Sequence, residues 1–188
     1  MYLPSDDSIF LSDIVNQYHG QWALEVGTSS GIILKELSKN FRIVIGTDID
    51  FNSLKHSQSI LKNDRLICCD AASALHNVKF DLIVTNPPYL PNNPNHVDKT
   101  IDGGPSGIEV SVHILTSVLD KLSEAGKILI LVSSLSDKKK LERFIVENNL
   151  VMKQIAKKNL FYESLEIIEI SKKYSNKWMN IYLVTTLW

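Results

Sequence analysis

The stretch FDLIVTNPPY, residues 80–89, decides the fold of this chain. Its first six residues form a short apolar run that predicts a buried β-strand. The last four place an amide, two prolines and a phenol directly after that strand. In an open α/β sheet, ligands bind at the carboxyl ends of the strands. The stretch therefore predicts an α/β sheet with a functional site at its carboxyl edge.

The prolines make the segment after the strand a rigid acceptor site, because they hold the backbone extended and have no N–H donors. The side-chain oxygen of Asn86 and the carbonyl of Pro87 can each accept one hydrogen from a planar NH2 group. The Tyr89 ring can lie against the π-face beside it. Such a group is a carboxamide or the exocyclic amine of adenine or cytosine, for which catalysis comes mostly from orientation and electrostatics. The alternative interpretation is a proline-rich turn after a core strand.

Strand and helix patterns alternate on both sides of this stretch. Apolar residues at helical spacing predict a first helix over residues 10–18, which Ser5 or Asp6 can cap. Short apolar runs predict strands, which cover residues 22–26, 42–47, 65–69, 80–85 and 127–133. Helical patterns predict the connections between these strands. One helix begins after residue 31, and two others cover residues 51–62 and 136–148. A further helix runs through Leu122 and begins at a capping box formed by Ser106 and Glu109.

The pattern changes after Leu150, where strands over residues 151–157 and 163–171 follow each other without a helix and predict an antiparallel hairpin. The fold class is therefore α/β, a doubly wound Rossmann-like sheet that is mainly parallel with an antiparallel edge hairpin. We expect the 188 residues to form a single domain. Residues 172–188 are expected to be an apolar C-terminal extension that packs on the core or on a partner.

Acidic residues at the ends of three successive predicted strands indicate a nucleoside-binding site. The glycines at the ends of the loop at residues 27–31 let the backbone approach a ligand. Asp48 can accept hydrogen bonds from two ribose hydroxyls, and Asp70 can accept one from an adenine amine. Glu25 lies where a cationic part of the ligand would sit. An NAD site is not favoured, because the loop lacks the pattern G-x-G-x-x-G.

The composition describes an ordinary soluble globular protein, with 44% hydrophobic residues, 22% charged residues and a net charge of -1. Runs of lysine are interpreted as solvated faces rather than nucleic-acid contacts. Cys68 and Cys69 are adjacent, which excludes CxxC spacing, so they are expected to be core residues in a reducing compartment. The five His lack metal-ligand spacing, so no metal site is predicted. No leader or membrane span is evident, so a cytoplasmic location is expected.

These motifs resemble those of class I S-adenosylmethionine-dependent methyltransferases, and specifically the HemK-related glutamine methyltransferases that modify peptide release factors. The resemblance rests on YLPSDDS at 2–8, LEVGTSSG at 24–31, FDLIVTNPPY at 80–89 and DGGPSGIEV at 102–110. The last stretch resembles the loop after NPPY in the short archaeal and eukaryotic branch. The match extends over residues 2–171, and the absence of an N-terminal helical substrate domain also favours that branch.

The resemblance implies a cofactor, S-adenosylmethionine, with S-adenosylhomocysteine as product, and two sets of site residues. The residues implied to bind the cofactor are Ser8, Glu25, Gly27, Thr28, Gly31, Asp48, Ile49, Asp70, Ala71 and Asn86. The residues implied to be catalytic, which hold the glutamine amide, are Asn86, Pro87, Pro88 and Tyr89.

Two further expectations follow from the resemblance. Members of the short branch act with a small zinc-binding activator subunit that covers an apolar edge strand, which here is the strand around Leu66 to Cys68. The middle glycine of the usual E-x-G-x-G-x-G loop is Ser29 in this chain. We expect serine to occupy that turn if its φ stays negative.

The function predicted from the sequence is methylation of the glutamine side-chain amide (N5) in the GGQ motif of a class I peptide release factor. The alternative is an N6-adenine methyltransferase acting on DNA or RNA, since the same cradle fits adenine. The near-neutral charge and the lack of a separate target-recognition domain weigh against it. A third hypothesis is a catalytically silent subunit, which only Ser29 supports.

Overall fold

The computed structural model describes residues 6–61, 65–93, 98 and 100–173. Its strands are β1 (Gly20–Val26), β2 (Phe41–Asp48), β3 (Leu66–Cys68), β4 (Phe80–Thr85), β5 (Leu122–Ser133), β6 (Leu150–Asn159) and β7 (Ser164–Lys172). They form one sheet in the order β3-β2-β1-β4-β5-β7-β6. The helices are α1 (Asp6–Val15), α2 (Ile32–Asn40), α3 (Phe51–Leu61), α4 (Glu109–Val118) and α5 (Lys138–Glu147).

Helices cover both faces of the sheet, as the doubly wound prediction requires. Side chains of α1 and α2, such as Leu11 and Leu34, join one buried apolar cluster. Side chains of α4 and α5, such as Leu115, join the other. Successive strand residues point to opposite faces, and accordingly Ala23 lies in the first cluster and Leu24 in the second. The predicted fold class is confirmed.

The strand order creates a crevice at the carboxyl edge of the sheet. Strand β1 pairs in parallel with β2 on one side and with β4 on the other. The chain therefore runs outward from β1 through β2 to β3, and then returns to the opposite side of β1. Ligands of open α/β sheets bind where the order reverses in this way. This topology places the loop after β1 beside the NPPY segment after β4.

The predicted antiparallel hairpin is present, and its second strand, β7, lies inside the sheet between β5 and β6. Strand β7 pairs with β5 and with β6, antiparallel in both cases. Its side chains Leu165, Ile167, Ile168 and Ile170 are buried, which explains its more apolar sequence. Strand β6, which contains Lys153, Lys157 and Lys158, is the edge.

The boundary between α4 and β5 differs from the prediction. Helix α4 ends at Val118, a 3-10 turn covers Leu119–Lys121, and β5 begins at Leu122 rather than at residue 127. Leu122 pairs with Phe80 across an irregularity in the β4–β5 ladder. The sequence pattern missed this extension because residues 123–125 are polar or small, with Ser123 half-buried and the next two residues exposed.

The predicted capping box is also only partly correct. The residue preceding α4 is Ile108, which makes no side-chain capping bond. Instead the Ser106 amide donates to the Glu109 carboxylate at 3.0 Å, and the ammonium of Lys140 donates to the same carboxylate at 2.9 Å. Gly107 has a φ of 74°, so it turns the chain between Ser106 and the helix. Ser106 therefore braces the loop against α5 instead of capping α4.

The prediction that both cysteines are core residues is wrong. Cys68 is exposed and Cys69 is half-buried. Strand β3 has only three residues and pairs with β2 alone among the described strands, so little of the protein lies over it. The prediction that β3 is an edge strand is correct.

The C-terminal extension and the single-domain assignment stay predictions, because residues 174–188 lie outside the described residues. No helix in the described part of the chain is long and apolar enough to cross a membrane.

Candidate functional site

A cavity of about 490 Å³ opens at the carboxyl edge of the sheet. Of the residues proposed from the sequence, Gly27, Asp48, Ile49, Asp70, Ala71 and Pro88 are on its wall. Others on the wall are Val26, Ser29, Thr47, Asp50, Ser53, Thr100, Val110, His113 and Ile114. The remaining proposed residues, Ser8, Glu25, Thr28, Gly31, Asn86, Pro87 and Tyr89, are not part of this wall. The cavity therefore joins the loop after β1 to the ends of β2, β3 and β4.

The loop after β1 approaches the cavity with its backbone. Gly27 has a φ of 82°, and a Cβ built there would have no heavy atom within 4 Å, so the glycine leaves open space. Gly31, at the other end of the loop, faces protein, since a Cβ there would lie 3.1 Å from the Ser57 hydroxyl of α3. Gly27 thus opens room for a ligand, whereas Gly31 lets the loop pack against a helix.

Ser29 adopts a conformation that we did not expect. Its φ is 38°, in the left-handed region, whereas the sequence-based expectation was a negative φ. The conformation is held because the Ser29 amide donates to the Asp48 carboxylate at 3.0 Å. A non-glycine residue in this region costs roughly 1 kcal/mol. The substitution of glycine by serine is accommodated with backbone strain.

Asp48, on the cavity wall, binds two backbone amides with its carboxylate. One of its carboxylate oxygens accepts from the Ser29 amide, and the other accepts from the Asp50 amide at 2.8 Å. Each carboxylate oxygen can accept a second hydrogen bond, so the group can still bind a pair of hydroxyls. Ile49 beside it is 74% exposed, which provides an apolar surface on the wall. Asp50 accepts from the amides of Asn52 and Ser53 at the start of α3.

Glu25 is a buried carboxyl group behind the loop. It is 2% exposed, and its Oε2 atom has no hydrogen-bond partner among the described residues. Burial, and secondly the nearby Asp48 carboxylate, raise the pKa of Glu25 well above its ordinary value, while the Leu34 amide acts in the opposite direction. A buried acid in this state is stabilised in its charged form by a cation. The group is therefore suited to a positively charged ligand.

Asp70 has a partner that the sequence analysis missed. Its Oδ1 atom lies 2.9 Å from Nε2 of His113, and both side chains are more than half exposed at the cavity. His113 is on the same face of α4 as Val110 and Ile114, three residues before and one after it, which also line the cavity. That spacing was a usable signal, since residues three and four apart share a helix face. The contact fixes one oxygen of Asp70 and leaves the other for a ligand.

The acceptor group of the NPPY segment is oriented by the first helix. The Asn86 side-chain nitrogen donates to the Ser8 hydroxyl at 3.3 Å, and that hydroxyl donates to the Asp7 carboxylate at 3.3 Å. Because the hydroxyl proton is directed to the carboxylate, only its lone pairs face the Asn86 amide. The amide must therefore present its nitrogen to Ser8. Its oxygen is buried and has no hydrogen-bond partner among the described residues.

The same carboxylate holds the other end of the segment. The Tyr89 hydroxyl donates to Asp7 at 3.2 Å, and the Tyr89 carbonyl accepts from the Ser136 hydroxyl at 2.8 Å. Asp7 is itself 4% exposed. The sequence analysis did not assign it a role, because its contacts depend on where α1 docks. Asp7 thus contacts Tyr89 directly and is linked to Asn86 by the Ser8 hydroxyl.

The loop that follows packs on the backbone of the segment. The Leu90 amide donates to the Ile101 carbonyl at 2.9 Å, and the Gly103 amide donates to the Leu90 carbonyl at 2.8 Å. A Cβ at Gly103 would come within 2.5 Å of the Pro88 carbonyl, and one at Gly107 within 2.4 Å of the Tyr89 carbonyl. Glycine is therefore required at both positions. The described part of this loop is a support that fixes NPPY in place.

The family described as a methyltransferase domain matches residues 24–87 of this chain. A protein of Methanocaldococcus jannaschii named as a protein N5-glutamine methyltransferase is 30% identical over 148 residues, covering 74% of this chain and 75% of that protein. The release factor glutamine methyltransferase of Mycoplasma mycoides is 25% identical over 202 residues, covering 95% of this chain and 67% of that enzyme.

Solved structures show the same fold. The E. cuniculi Mtq2-Trm112 complex, described as methylating the eRF1 translation termination factor, superimposes with a TM-score of 0.76 at 24% identity and covers 91% of this chain and 98% of that chain. The N-methyltransferase NodS of Bradyrhizobium japonicum, solved with S-adenosyl-L-homocysteine, gives a TM-score of 0.65 at 11% identity, covering 89% of this chain and 88% of that chain.

Proposed function

This chain belongs to the family of protein N5-glutamine methyltransferases, and we propose that it methylates the glutamine amide in the GGQ motif of a class I translation termination factor. It is an S-adenosylmethionine-dependent methyltransferase. The observation that carries the choice of acceptor is the buried oxygen of Asn86, which has no hydrogen-bond partner in the described part of the chain and lies two residues before Pro88 of the cavity wall. A buried oxygen without a partner is costly, and an amide NH2 group supplies the missing donor.

The residues at the cavity fit S-adenosylmethionine. Asp48 would hold the ribose hydroxyls, the free oxygen of Asp70 would accept from the adenine amine, and Ile49 and Ala71 would contact the base. Glu25 would balance the positive charge of the methionine part, and the backbone at Gly27 would lie along it. We further propose that the Ser8 hydroxyl and the Asn86 side chain lie where the cofactor meets the acceptor amide. Thr28, in the same loop as Gly27, is buried, and its amide donates to the Thr47 carbonyl at 3.2 Å.

The chemistry asked of the protein is orientation. When bound, S-adenosylmethionine supplies an electrophilic methyl group on a sulfonium. Asn86 Oδ1 and the Pro87 carbonyl each accept one N–H of the glutamine amide, which raises electron density on the nitrogen and directs its lone pair at the methyl group. Tyr89 covers the amide face, while Pro87 and Pro88 keep the acceptors fixed. After transfer, the nitrogen loses one proton to water, so no strong base is required.

Methylation of adenine N6 in DNA or RNA is the second candidate, because the Asn86 oxygen and the Pro87 carbonyl could equally accept from an exocyclic amine. The net charge of -1 weighs against it, since binding phosphates normally requires a basic face. A silent subunit is a weaker candidate. Ser29, its one support, is accommodated in the loop by a hydrogen bond to Asp48.

The deciding experiment is transfer of a labelled methyl group from S-adenosylmethionine to purified termination factor, to duplex DNA and to RNA. We expect label in the factor alone, on its GGQ glutamine. A factor in which that glutamine is replaced by alanine is the control and should remain unlabelled. Label in the nucleic acids with none in the factor would establish the second candidate instead.

We also propose that a small zinc-binding activator subunit pairs with β3. The support is the position of β3 at the sheet edge, with Cys68 exposed and Ile67 half-buried. An edge strand offers unpaired backbone groups to a further strand. Leu66 and Ile67 partly pack on the core clusters, so backbone pairing carries more of this interface than apolar area does. A cytoplasmic location remains part of the same proposal, because the termination factor acts there.

Co-expression tests the partner. With the subunit present, we expect higher solubility and higher methyl transfer than for the isolated chain. Cys68→Pro, which removes a backbone donor directed away from β2 to the open edge, should weaken the complex. An isolated chain that is stable and fully active on the termination factor would refute the partner.

A further inference from the structure

Two exposed aromatic side chains form the tip of the β6–β7 hairpin. Phe161 is 90% exposed and Tyr162 is 87% exposed, and their rings meet edge to face with centroids 4.7 Å apart. The turn that carries them is closed by the Leu160 amide, which donates to the Glu163 carbonyl at 2.8 Å. We call this pair, Phe161 and Tyr162, the aromatic tip. Large aromatic side chains exposed to this extent on an ordered turn are characteristic of contact sites.

The register of the sheet places the aromatic tip on the same edge as the acceptor site. Strand β5 runs parallel to β4, with Thr85 opposite Ile130, and continues three residues further to Ser133. Ser133 lies opposite Leu165 at the beginning of β7. The tip therefore projects beyond the carboxyl ends of β4 and β5, where Asn86 also lies.

Contacts on two sides connect the tip to the acceptor site. The turn after β5 bonds to both, since the Ser164 amide donates to the Ser134 hydroxyl at 2.9 Å and the Ser136 hydroxyl donates to the Tyr89 carbonyl at 2.8 Å. On the other side, the Lys158 ammonium lies 3.7 Å from the Asp6 carboxylate at the start of α1.

The apolar packing joins the same elements. Leu160, directly before the tip, packs with Tyr89 on the cluster that also contains Leu11 of α1. Leu135, in the turn after β5, is 49% exposed and extends the apolar surface between the tip and the acceptor site. The hairpin end, the turn after β5 and the start of α1 thus form one continuous rim beside the NPPY segment.

We infer that the aromatic tip is the docking surface for the body of the substrate protein, next to the loop that presents its glutamine. The inference rests on the proposed function, because only a macromolecular acceptor extends from Asn86 onto this rim. Phe and Tyr bring roughly 150–250 Å² of contact area each, which is a substantial part of the roughly 800 Å² that one partner contributes to a standard interface. The two rings already contact each other edge to face, which reduces the side-chain entropy that is lost on binding.

The test compares a protein substrate with a peptide that cannot reach the tip. Phe161→Ser/Tyr162→Ser is assayed by methyl transfer to purified termination factor and to a short peptide spanning its GGQ loop. We expect the KM for the factor to rise roughly 10- to 100-fold, the range for losing an aromatic interface anchor. The kcat/KM for the peptide and the Kd for S-adenosylmethionine should stay within about twofold of wild type.

The matched control is Val146→Ser, which removes a 75% exposed apolar side chain near the carboxyl end of α5. It should change neither the KM for the factor nor the kcat/KM for the peptide. An unchanged KM for the factor, in an enzyme that methylates it, would overturn the docking surface and leave the proposed function standing. Equal losses on factor and peptide would overturn it too, because the tip would then support the site itself. A wild-type dimer that the double substitution dissociates without changing KM would assign the tip to a second copy of this chain. A wild-type enzyme that methylates neither acceptor would overturn the proposed function and this inference together.

Discussion

The Asn86 side-chain nitrogen lies 3.3 Å from the Ser8 hydroxyl, and this one contact decides which end of the amide faces the substrate. Since the hydroxyl proton is directed to Asp7, the amide oxygen is the end left for an incoming N–H. The orientation is thereby set before the substrate arrives. Preorganised acceptors of this kind lower the activation barrier without reorganising during the reaction.

Asn86→Ala should reduce kcat by roughly 10²–10³-fold, the scale of losing one preorganised polar group. The Kd for S-adenosylmethionine should change much less, because Asn86 is not on the cavity wall. Single-turnover methyl transfer and calorimetric titration separate the two quantities. Near-wild-type turnover on the true substrate would refute the role given to Asn86.

Asp7→Asn should lower kcat by roughly 10-fold or more, equivalent to one charge-assisted hydrogen bond. An amide at position 7 can donate to the Ser8 oxygen, which frees the hydroxyl proton to engage Asn86 Oδ1 and occupy the acceptor. The KM for S-adenosylmethionine should be little affected. Asp6→Asn is the matched control, since Asp6 is exposed and its one side-chain contact among the described residues is the 3.7 Å ion pair with Lys158. Equal rates for the two variants would exclude the positioning role.

Asp48→Ala should weaken S-adenosylmethionine binding by roughly 1.5–3 kcal/mol, the scale of hydrogen bonds to a charged group. Part of that loss comes from the loop, because the amides of Ser29 and Asp50 lose their acceptor. Asp48→Asn retains one side-chain oxygen and should lose less. Calorimetry decides the point, and an unchanged Kd for the alanine variant would mean that Asp48 has only a structural role.

Ser29→Gly should leave S-adenosylmethionine binding equal or stronger. Glycine removes the strain of a φ of 38°, about 1 kcal/mol, but adds a similar entropy to the unfolded chain, about 0.4–1 kcal/mol. We therefore expect a melting temperature that is unchanged or slightly higher. Ser29→Val, whose branched side chain tolerates this conformation poorly, should lower both stability and affinity. Loss of binding in the glycine variant would show that the serine side chain itself holds the cofactor.

Glu25→Gln should raise stability and lower cofactor affinity at the same time. Burial, and secondly Asp48, raise the pKa of Glu25 in the folded protein. At a pH above the ordinary pKa of 4.5, ionisation of this group therefore opposes folding. A neutral glutamine removes that penalty at pH 7, and the gain should vanish as the pH falls below 4.5, where the carboxyl is protonated in both states. Urea denaturation at pH 7 and pH 4 measures it. A variant that is less stable at pH 7 contradicts the assignment.

The sequence predicted the features that local patterns encode. The strand patterns located each strand of the described part of the chain, and the acids at positions 48 and 70 and the NPPY motif located the edge where the cavity lies. What it missed depends on contacts between distant elements. The role of Asp7 arises only when α1 docks on β4, and the positive φ of Ser29 arises only because Asp48 accepts its amide. His113 and the early start of β5 were missed for the same reason, because their partners are on other elements.

The contacts of α1 with the acceptor segment also have a consequence for how activity is acquired. Ser8 meets Asn86 across 78 positions of the chain, and Asp7 meets Tyr89 across 82. Contacts of such high sequence separation form late in folding, since closing a long loop costs entropy that no local structure repays. A partly folded or nascent chain can therefore contain β1 and the glycine loop without an oriented Asn86. Local opening of α1 should therefore silence catalysis while the sheet remains intact.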